Sequence, residues 1–343
     1  MPMPEQNVLA AVSPSQTEGA DFSVTVTTTA RLHFGFFDPS GRTSEPFGSF
    51  GLSLDEPATR LNLRHAQEDH AQGPESERAA RYLTAMKRAH GVERAYGLDI
   101  AEAIPPHAGL GSGTQLALAL GAAFSAIENL NLSPAQIAEM LGRGARSGIG
   151  IATFKTGGAV IDSGPAHGAL PQLIARAPFP DGWRVLLIFD AGTKGLQGAD
   201  EVAAFETSPI YPEDARTALC ARVVERALPA LERGDFDVFC EEVGHLQARM
   251  GDYFAPSQGG VFTSPDVGTV LEALRARGIA GVGQSSWGPT GFAFAETEQD
   301  GQRLLALATQ ADKSGSLRFV LAKGRNEGAK ISRLSGLSRS SRQ

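Results

Sequence analysis

The residues best suited to chemistry form a short glycine-rich stretch, Gly109-Leu110-Gly111-Ser112-Gly113-Thr114-Gln115, set between an alternating segment and a long apolar run. Glycine has no Cβ, so backbone N–H groups can converge on an anion there. The apolar run predicts a helix over Gln115–Leu130, whose first turn adds unpaired N–H groups and the positive end of a dipole. Ser112 and Thr114 bring hydroxyls suited to a phosphate or a magnesium ion. No Gly-Lys-Ser/Thr follows, so the loop is not of the Walker type. The spacing also departs from G-x-G-x-x-G with an acidic ribose partner. An anion-binding loop is the favoured reading, and a plain structural turn is its alternative.

Several elements must position this loop. Ser23–Ala30, Ala58–His65 and Leu98–Ala103 alternate and predict strands. Residues 75–90 predict a helix with Ala79, Tyr82, Leu83 and Met86 on one side. Ser133-Pro134-Ala135-Gln136 reads as a capping box with proline at the first helical position. The second half begins with a buried strand at Trp183–Asp190 and continues with two helices over 212–250, broken near Gly234-Asp235. A helix from Ser264-Pro265 to Gly278 follows, then strands at Ile279–Gly283 and Gly291–Ala295. A helix near 297–312 and a strand at Leu317–Ala322 close the unit, whose order suits a sheet with helices on one face. The expected division is a tail over 1–21, a first domain over 22–180, a second over 181–329, and a basic solvated tail over 330–343.

Composition narrows the function classes. The 343 residues suit two domains, and a net charge of −7 speaks against nucleic acid or an anionic membrane as partner. A polyanionic substrate must then be met by a local cluster of Arg, Lys or metal. No apolar run reaches the roughly 20 residues of a membrane span, and the first residues lack a secretory pattern. The two cysteines, Cys220 and Cys240, read as buried thiols and suggest a reducing cytoplasm.

The stretch Pro105-Pro106-His107-Ala108-Gly109-Leu110-Gly111-Ser112, after a strand and opening an apolar helix, resembles the phosphate loop of the GHMP kinase superfamily. A second glycine-rich segment, Gly281–Gly291, stands where that superfamily folds a loop toward the first. Four blocks resemble one branch, the β-ribofuranosylaminobenzene 5′-phosphate (RFAP) synthases: Ala30–Asp38, Gly142–Gly150, Gly195–Glu201 and Gly283–Thr290. The likeness spans about residues 23–325. It implies an α+β, two-domain GHMP-kinase-like fold, with a ribosomal-S5-like first domain and a ferredoxin-like second. It also implies a cytoplasmic homodimer.

The reaction so implied condenses 5-phosphoribosyl diphosphate (PRPP) with 4-aminobenzoate or 4-hydroxybenzoate. Diphosphate and CO₂ leave, giving a C-riboside for tetrahydromethanopterin synthesis, with Mg²⁺ expected and no ATP. The rivals are an ATP-dependent kinase or decarboxylase and a non-catalytic binding member. Kinases of this superfamily commonly place a carboxylate after the second helix, whereas Ser147–Gly158 contains no Asp or Glu. Within the RFAP-synthase reading, Arg31, His33, Arg146 and Lys155 are candidate catalytic groups, against ion pairs or structural imidazole as plain alternatives. Phosphate binding falls to Gly109, Leu110, Gly111, Ser112, Gly113, Thr114 and Gln115, with Gln284, Ser285 and Ser286. Trp287 offers a flat face to the arene. Asp38, Asp190 and Glu201 are candidate magnesium ligands, each with capping or surface exposure as its ordinary role.

Overall fold

Strand β1 runs Phe22–Phe36 and its antiparallel partner β2 runs Ser49–His65, both longer than their alternating cores predict. The computed structural model describes residues 22–40, 48–164, 169–195 and 198–335; the expected tail over 1–21 lies outside them. After β3 (His70–Gln72) come α1 (Ser76–His90), β4 (Tyr96–Glu102), α2 (Ser112–Ile127), α3 (Pro134–Met140), α4 (Ile149–Thr156), β5 (Ala159–Asp162) and β6 (Leu173–Ala177). The first sheet has the order β11-β1-β2-β4-β3, with β11 defined below, and β5 continues from β2 to β6. Ser133 caps α3 as its sequence dictates: the side chain accepts from Gln136 N–H while Gln136 reaches back. Gly121 lets α2 and α3 touch, since a Cβ there would lie 2.2 Å from Ile137.

The chain enters a second sheet at β7 (Arg184–Phe189). It proceeds through α5 (Gly198–Thr207), α6 (Glu213–Arg222), a π turn (Val223–Ala227), α7 (Leu228–Arg233), α8 (Phe236–Gln258) and α9 (Pro265–Arg275). The π turn precedes Pro229, which has no N–H to continue a regular ladder. Gly234, at φ 68°, ends α7, and Asp235 caps α8. Then follow β8 (Val282–Gln284), β9 (Gly291–Ala295), α10 (Glu298–Ala311) and β10 (Arg318–Ala322). The sheet order β10-β7-β9-β8, all antiparallel, is that of a ferredoxin-like unit.

The two sheets share a core. Phe34 of β1 packs against Phe50 of β2, Phe239 of α8 and Phe292 and Phe294 of β9, with ring centroids 5.0 to 6.4 Å apart. All five rings are buried, so separating the halves would expose a contiguous apolar surface. A cluster around α2 fills the other face of the first sheet, and α9 and α10 cover the second. No helix among the described residues is long and apolar enough to cross a membrane.

The solvated tail expected from residue 330 is corrected at its start. Lys330–Ser335 forms strand β11 and pairs antiparallel with β1 from Thr27 to Phe22; residues 336–343 lie outside the described chain. Lys330-Ile331-Ser332-Arg333-Leu334 lacks strict alternation, and its two apolar residues are largely exposed, as suits a charged edge strand that local pattern does not reveal. Ending the chain at Ala329 should lower the melting temperature, by roughly 2–4 °C for each kcal/mol lost. An unchanged thermal scan would show that the pairing adds no stability.

Candidate active site

The glycine loop joins β4 to α2, and its conformation requires its glycines: Gly109 has φ 76° and Gly111 φ 81°. Gly111 is the N-cap of α2 and supplies no side chain, and the first turn carries no acidic residue. The N-terminal N–H groups at Ser112 and Gly113 therefore face the cleft without a local carboxylate. Arg31 clasps the loop from β1. Its N–H donates to Leu110 O at 3.1 Å, and its Nη1 donates to Gly109 O at 2.5 Å. Register shifts between Thr29 and Arg31 and between His33 and Gly35 bracket these residues, and such bulges re-aim strand side chains.

The β8–β9 loop closes over the glycine loop from the second unit. Ser285 Oγ donates to Gly109 O at 2.8 Å and accepts from His33 N–H at 3.1 Å, while Ser286 N–H donates to His33 O at 3.1 Å. The backbones meet at two glycines. A Cβ on Gly288 would fall 2.3 Å from Gly109 Cα, and one on Gly109 would fall 2.2 Å from Ser285 O. Ser286, at φ 56°, holds the tight turn that brings Trp287 to the cleft wall.

The resulting cleft has a volume of about 530 Å³, within the range of small-molecule sites. Arg31, His33, Gly109, Gly111, Ser112, Gly113, Thr114, Arg146, Ser286 and Trp287 all line it. Four further lining groups escaped the sequence reading: Arg78 and Tyr82 on α1, His107 and Arg143. Arg78 precedes Tyr82 by one helical turn on the same face. Arg143 stands three residues before Arg146 between Gly142 and Gly144, a spacing that could have pointed to it.

Other expected site residues are placed elsewhere. Lys155 is exposed at the last turn of α4 and does not line the cleft; six residues of helix carry it about 9 Å beyond Ile149. Gln115 is wholly buried, accepting from Thr28 Oγ1 and donating to Gly150 O at 2.8 Å, so its amide braces α2 against β1 and α4. Leu110 points into the core and contributes its carbonyl. Gln284 and Ser285 are buried supports: Gln284 accepts from Thr263 N–H and donates to Ser286 O.

Of the magnesium ligands expected from sequence, Asp38 and Asp190 are each engaged by neighbouring donors. Asp38 is fully buried and accepts from Ser40. Asp190 accepts from Ser264 and Gly192; burial raises its pKa, but Thr193, Ser264 and Gly192 donors outweigh that and hold it below the usual value. Glu201 lies on α5, with its side chain outside the described residues, as is Asp200. Among the described residues no group of three or more His, Cys, Asp or Glu is arranged to hold a metal, and the cleft lining contains no carboxylate. The described lining residues of the glycine loop offer the Ser112 and Thr114 hydroxyls as their only side-chain oxygens suited to a magnesium ion.

One carboxylate lies behind the lining. Asp162 accepts from Ser49 N–H and Oγ, Ser147 Oγ, Gly148 N–H and Gly164 N–H, at 2.6 to 3.1 Å. Burial pushes its pKa up against those donors. Its lone pairs are spent on fixing the Ser147 turn, so Asp162 positions Arg146 and Ser147 and is not available as a base. At the other end of the cleft, Arg146 stacks 5.1 Å over Phe205, which meets Trp287 and Phe36 edge-on. Behind this wall a pocket of about 30 Å³ has room for water.

Similarity to known proteins agrees with this architecture. Models of the GHMP kinases N terminal domain and GHMP kinases C terminal domain match residues 77–158 and 227–310. A β-ribofuranosylphenol 5′-phosphate synthase of Archaeoglobus fulgidus is 32% identical over 324 residues, covering 89% of this chain and 98% of its own. The chain belongs to this synthase family, within the GHMP kinase superfamily. The synthase of Methanothermobacter thermautotrophicus is 27% identical, with 89% and 97% covered. Among solved structures, a homoserine kinase from Cytophaga hutchinsonii superposes with a TM-score of 0.64 at 15% identity, covering 95% of this chain and 100% of its own. A mevalonate diphosphate decarboxylase from Staphylococcus aureus also gives 0.64 at 15%, covering 93% and 100%. These two show the fold alone.

Two predictions follow from the synthase-family site. Gly288→Ala should force the two loops apart, costing about 1–3 kcal/mol, seen as an earlier urea midpoint together with lost turnover; wild-type behaviour would mean the apposition is dispensable. The second concerns His33, which is buried with neither ring nitrogen hydrogen-bonded. Burial first, then Arg31, lower its pKa from 6.5 to about 3. The unfolded chain takes up a proton near pH 6.5 that the folded one refuses until about pH 3, so His33 makes stability fall as pH drops through that window. His33→Phe should flatten the decline, measured by urea unfolding at several pH values; an identical slope would refute a buried neutral imidazole.

Proposed function

We propose that this cleft joins the ribose of PRPP to the carboxyl-bearing carbon of a para-substituted benzoate, the anionic cofactor-like end seated at the glycine loop and the ring against Trp287. The family reaction releases diphosphate and CO₂ and forms a β-ribofuranosyl arene 5′-phosphate, a step of tetrahydromethanopterin biosynthesis. The observation that carries the reading is a lining, free of carboxylates among the described residues, in which arginines surround a glycine loop next to an aromatic wall.

The chemistry follows from these residues. The C1′–O bond breaks and its electron pair leaves with diphosphate, whose growing charge is met by loop N–H groups and guanidinium groups. The developing oxocarbenium faces a neutral His33, which adds no like charge beside it. The arene carbon donates its pair to C1′ from the opposite face, and loss of CO₂ returns a pair to the ring. Arg146, over Phe205, orients the benzoate carboxylate before it leaves. Trp287, Phe36 and Phe205 form the apolar side that keeps water from the cation. Magnesium bound to the diphosphate would be part of the substrate and would supply charge neutralisation to the leaving group, with the Ser112 and Thr114 hydroxyls as the loop oxygens that would hold it. The protein acts in the cytoplasm as a homodimer in this reading.

Carboxyl-labelled 4-hydroxybenzoate and 4-aminobenzoate, each supplied with Mg²⁺ and either PRPP or ATP, test the proposal. Labelled CO₂ is expected with PRPP and absent with ATP. Release from neither arene in folded protein would overturn it. Arg146→Gln should raise KM for the arene about tenfold, the worth of a charge-assisted contact, and leave KM for PRPP near wild type.

A further inference from the structure

We infer that the end of PRPP held by the glycine loop is the diphosphate, and that Arg143 is the residue that selects it; this rests on the synthase reading above. Arg143 is a partly buried cation without a counter-ion among the described residues. Among the described residues its side chain makes no ion pair, and its buried Nε has no hydrogen-bond acceptor. A guanidinium Nε left dry and unpaired is costly unless an anion arrives to satisfy it. Its position says where that anion sits. A Cβ on Gly113 would fall 2.9 Å from Arg143 Nη2 and 3.7 Å from Arg78 Nη1, and one on Gly111 would fall 3.2 Å from Arg31 Nε. Three guanidinium groups thus crowd the N-terminus of α2. Arg78 shares its charge with Glu75, 3.1 Å away, whereas Arg143 does not share its own.

The loop also adjoins the arene wall so closely that it dictates which end of PRPP it takes. Gly109 packs directly on Gly288, the neighbour of Trp287. An anion on the loop is therefore close to a ring lying on Trp287. In PRPP the carbon that must meet the ring carries the diphosphate itself, whereas the 5′-phosphate is separated from it by the length of the sugar. Seating the 5′-phosphate on the loop would carry the anomeric carbon away from the arene. Seating the diphosphate there places that carbon between leaving group and nucleophile. The strongest local positive charge then faces the group that gains negative charge as the bond breaks.

Two fragments of PRPP separate the alternatives. Binding of inorganic diphosphate and of ribose 5-phosphate, each with Mg²⁺, is measured by titration calorimetry on the full chain and on Arg143→Gln and Arg143→Lys. Arg143→Gln is expected to weaken diphosphate about tenfold or more and to leave ribose 5-phosphate unchanged. Arg143→Lys should recover part of the loss, since it restores charge without the planar fork. Loss of ribose 5-phosphate binding with diphosphate binding retained would overturn the assignment, as would unchanged binding of both. A melting temperature equal to wild type shows that the variants are folded; if Arg143→Gln does not fold, Arg143→Lys alone must show the selective loss. These measurements need no turnover, so they fail or succeed separately from the CO₂-release assay.

Discussion

Everything at this site depends on the contact between two backbones at Gly109 and Gly288. Because neither residue carries a Cβ, the glycine loop of the first unit and the β8–β9 loop of the second approach to a distance no side chain permits. Ser285 then bridges them, taking a proton donor from His33 and giving one to Gly109. The same few hydrogen bonds fix the strand bearing Arg31 and His33, the loop at the helix N-terminus and the turn carrying Trp287. The glycine loop and the aromatic wall are thereby brought together from opposite halves of the chain, and the shared Phe34, Phe239, Phe292 and Phe294 core opposes their separation.

The electrostatics of the cleft invert those of the whole molecule. A chain of net charge −7 presents a lining of arginines, histidines and hydroxyls with no carboxylate among the described residues. Local charge, not net charge, decides which ligand is attracted at contact range. Asp162 shows how an acid can stay close without joining the lining: its oxygens are enclosed by five donors. Burial likewise keeps His33 neutral, so the cleft's positive charge comes from its guanidinium groups and not from this imidazole.

The fold itself is shared with small-molecule kinases and a decarboxylase, so it does not by itself choose a reaction. The choice lies in which side chains crowd the loop. Arginines over Gly111 and Gly113 suit an anion-rich substrate, and aromatic rings one residue beyond the loop suit an arene. A scaffold that places a helix N-terminus between two such surfaces is adaptable because the loop contributes backbone groups, which do not depend on the substrate.

The sequence by itself determined what local chemistry controls. The capping box at Ser133, the break at Gly234-Asp235, the strand–helix order of the second unit and the glycine loop all follow from neighbours within a few residues. Arg31, His33, Arg146 and Trp287 are singled out through the family resemblance of their sequence blocks, and the structure places Arg31 and His33 inside β1 and not at its end. Tertiary structure alone decided where side chains go once distant segments meet. It turned Gln115 inward to Thr28, carried Lys155 down α4 away from the cleft, and gathered Arg78 and Arg143 from separate elements over Gly113. It also paired Lys330–Ser335 with β1, some 300 residues earlier. Periodicity and capping energies act along the chain, but burial and pairing depend on packing across it, so they cannot be read from local pattern.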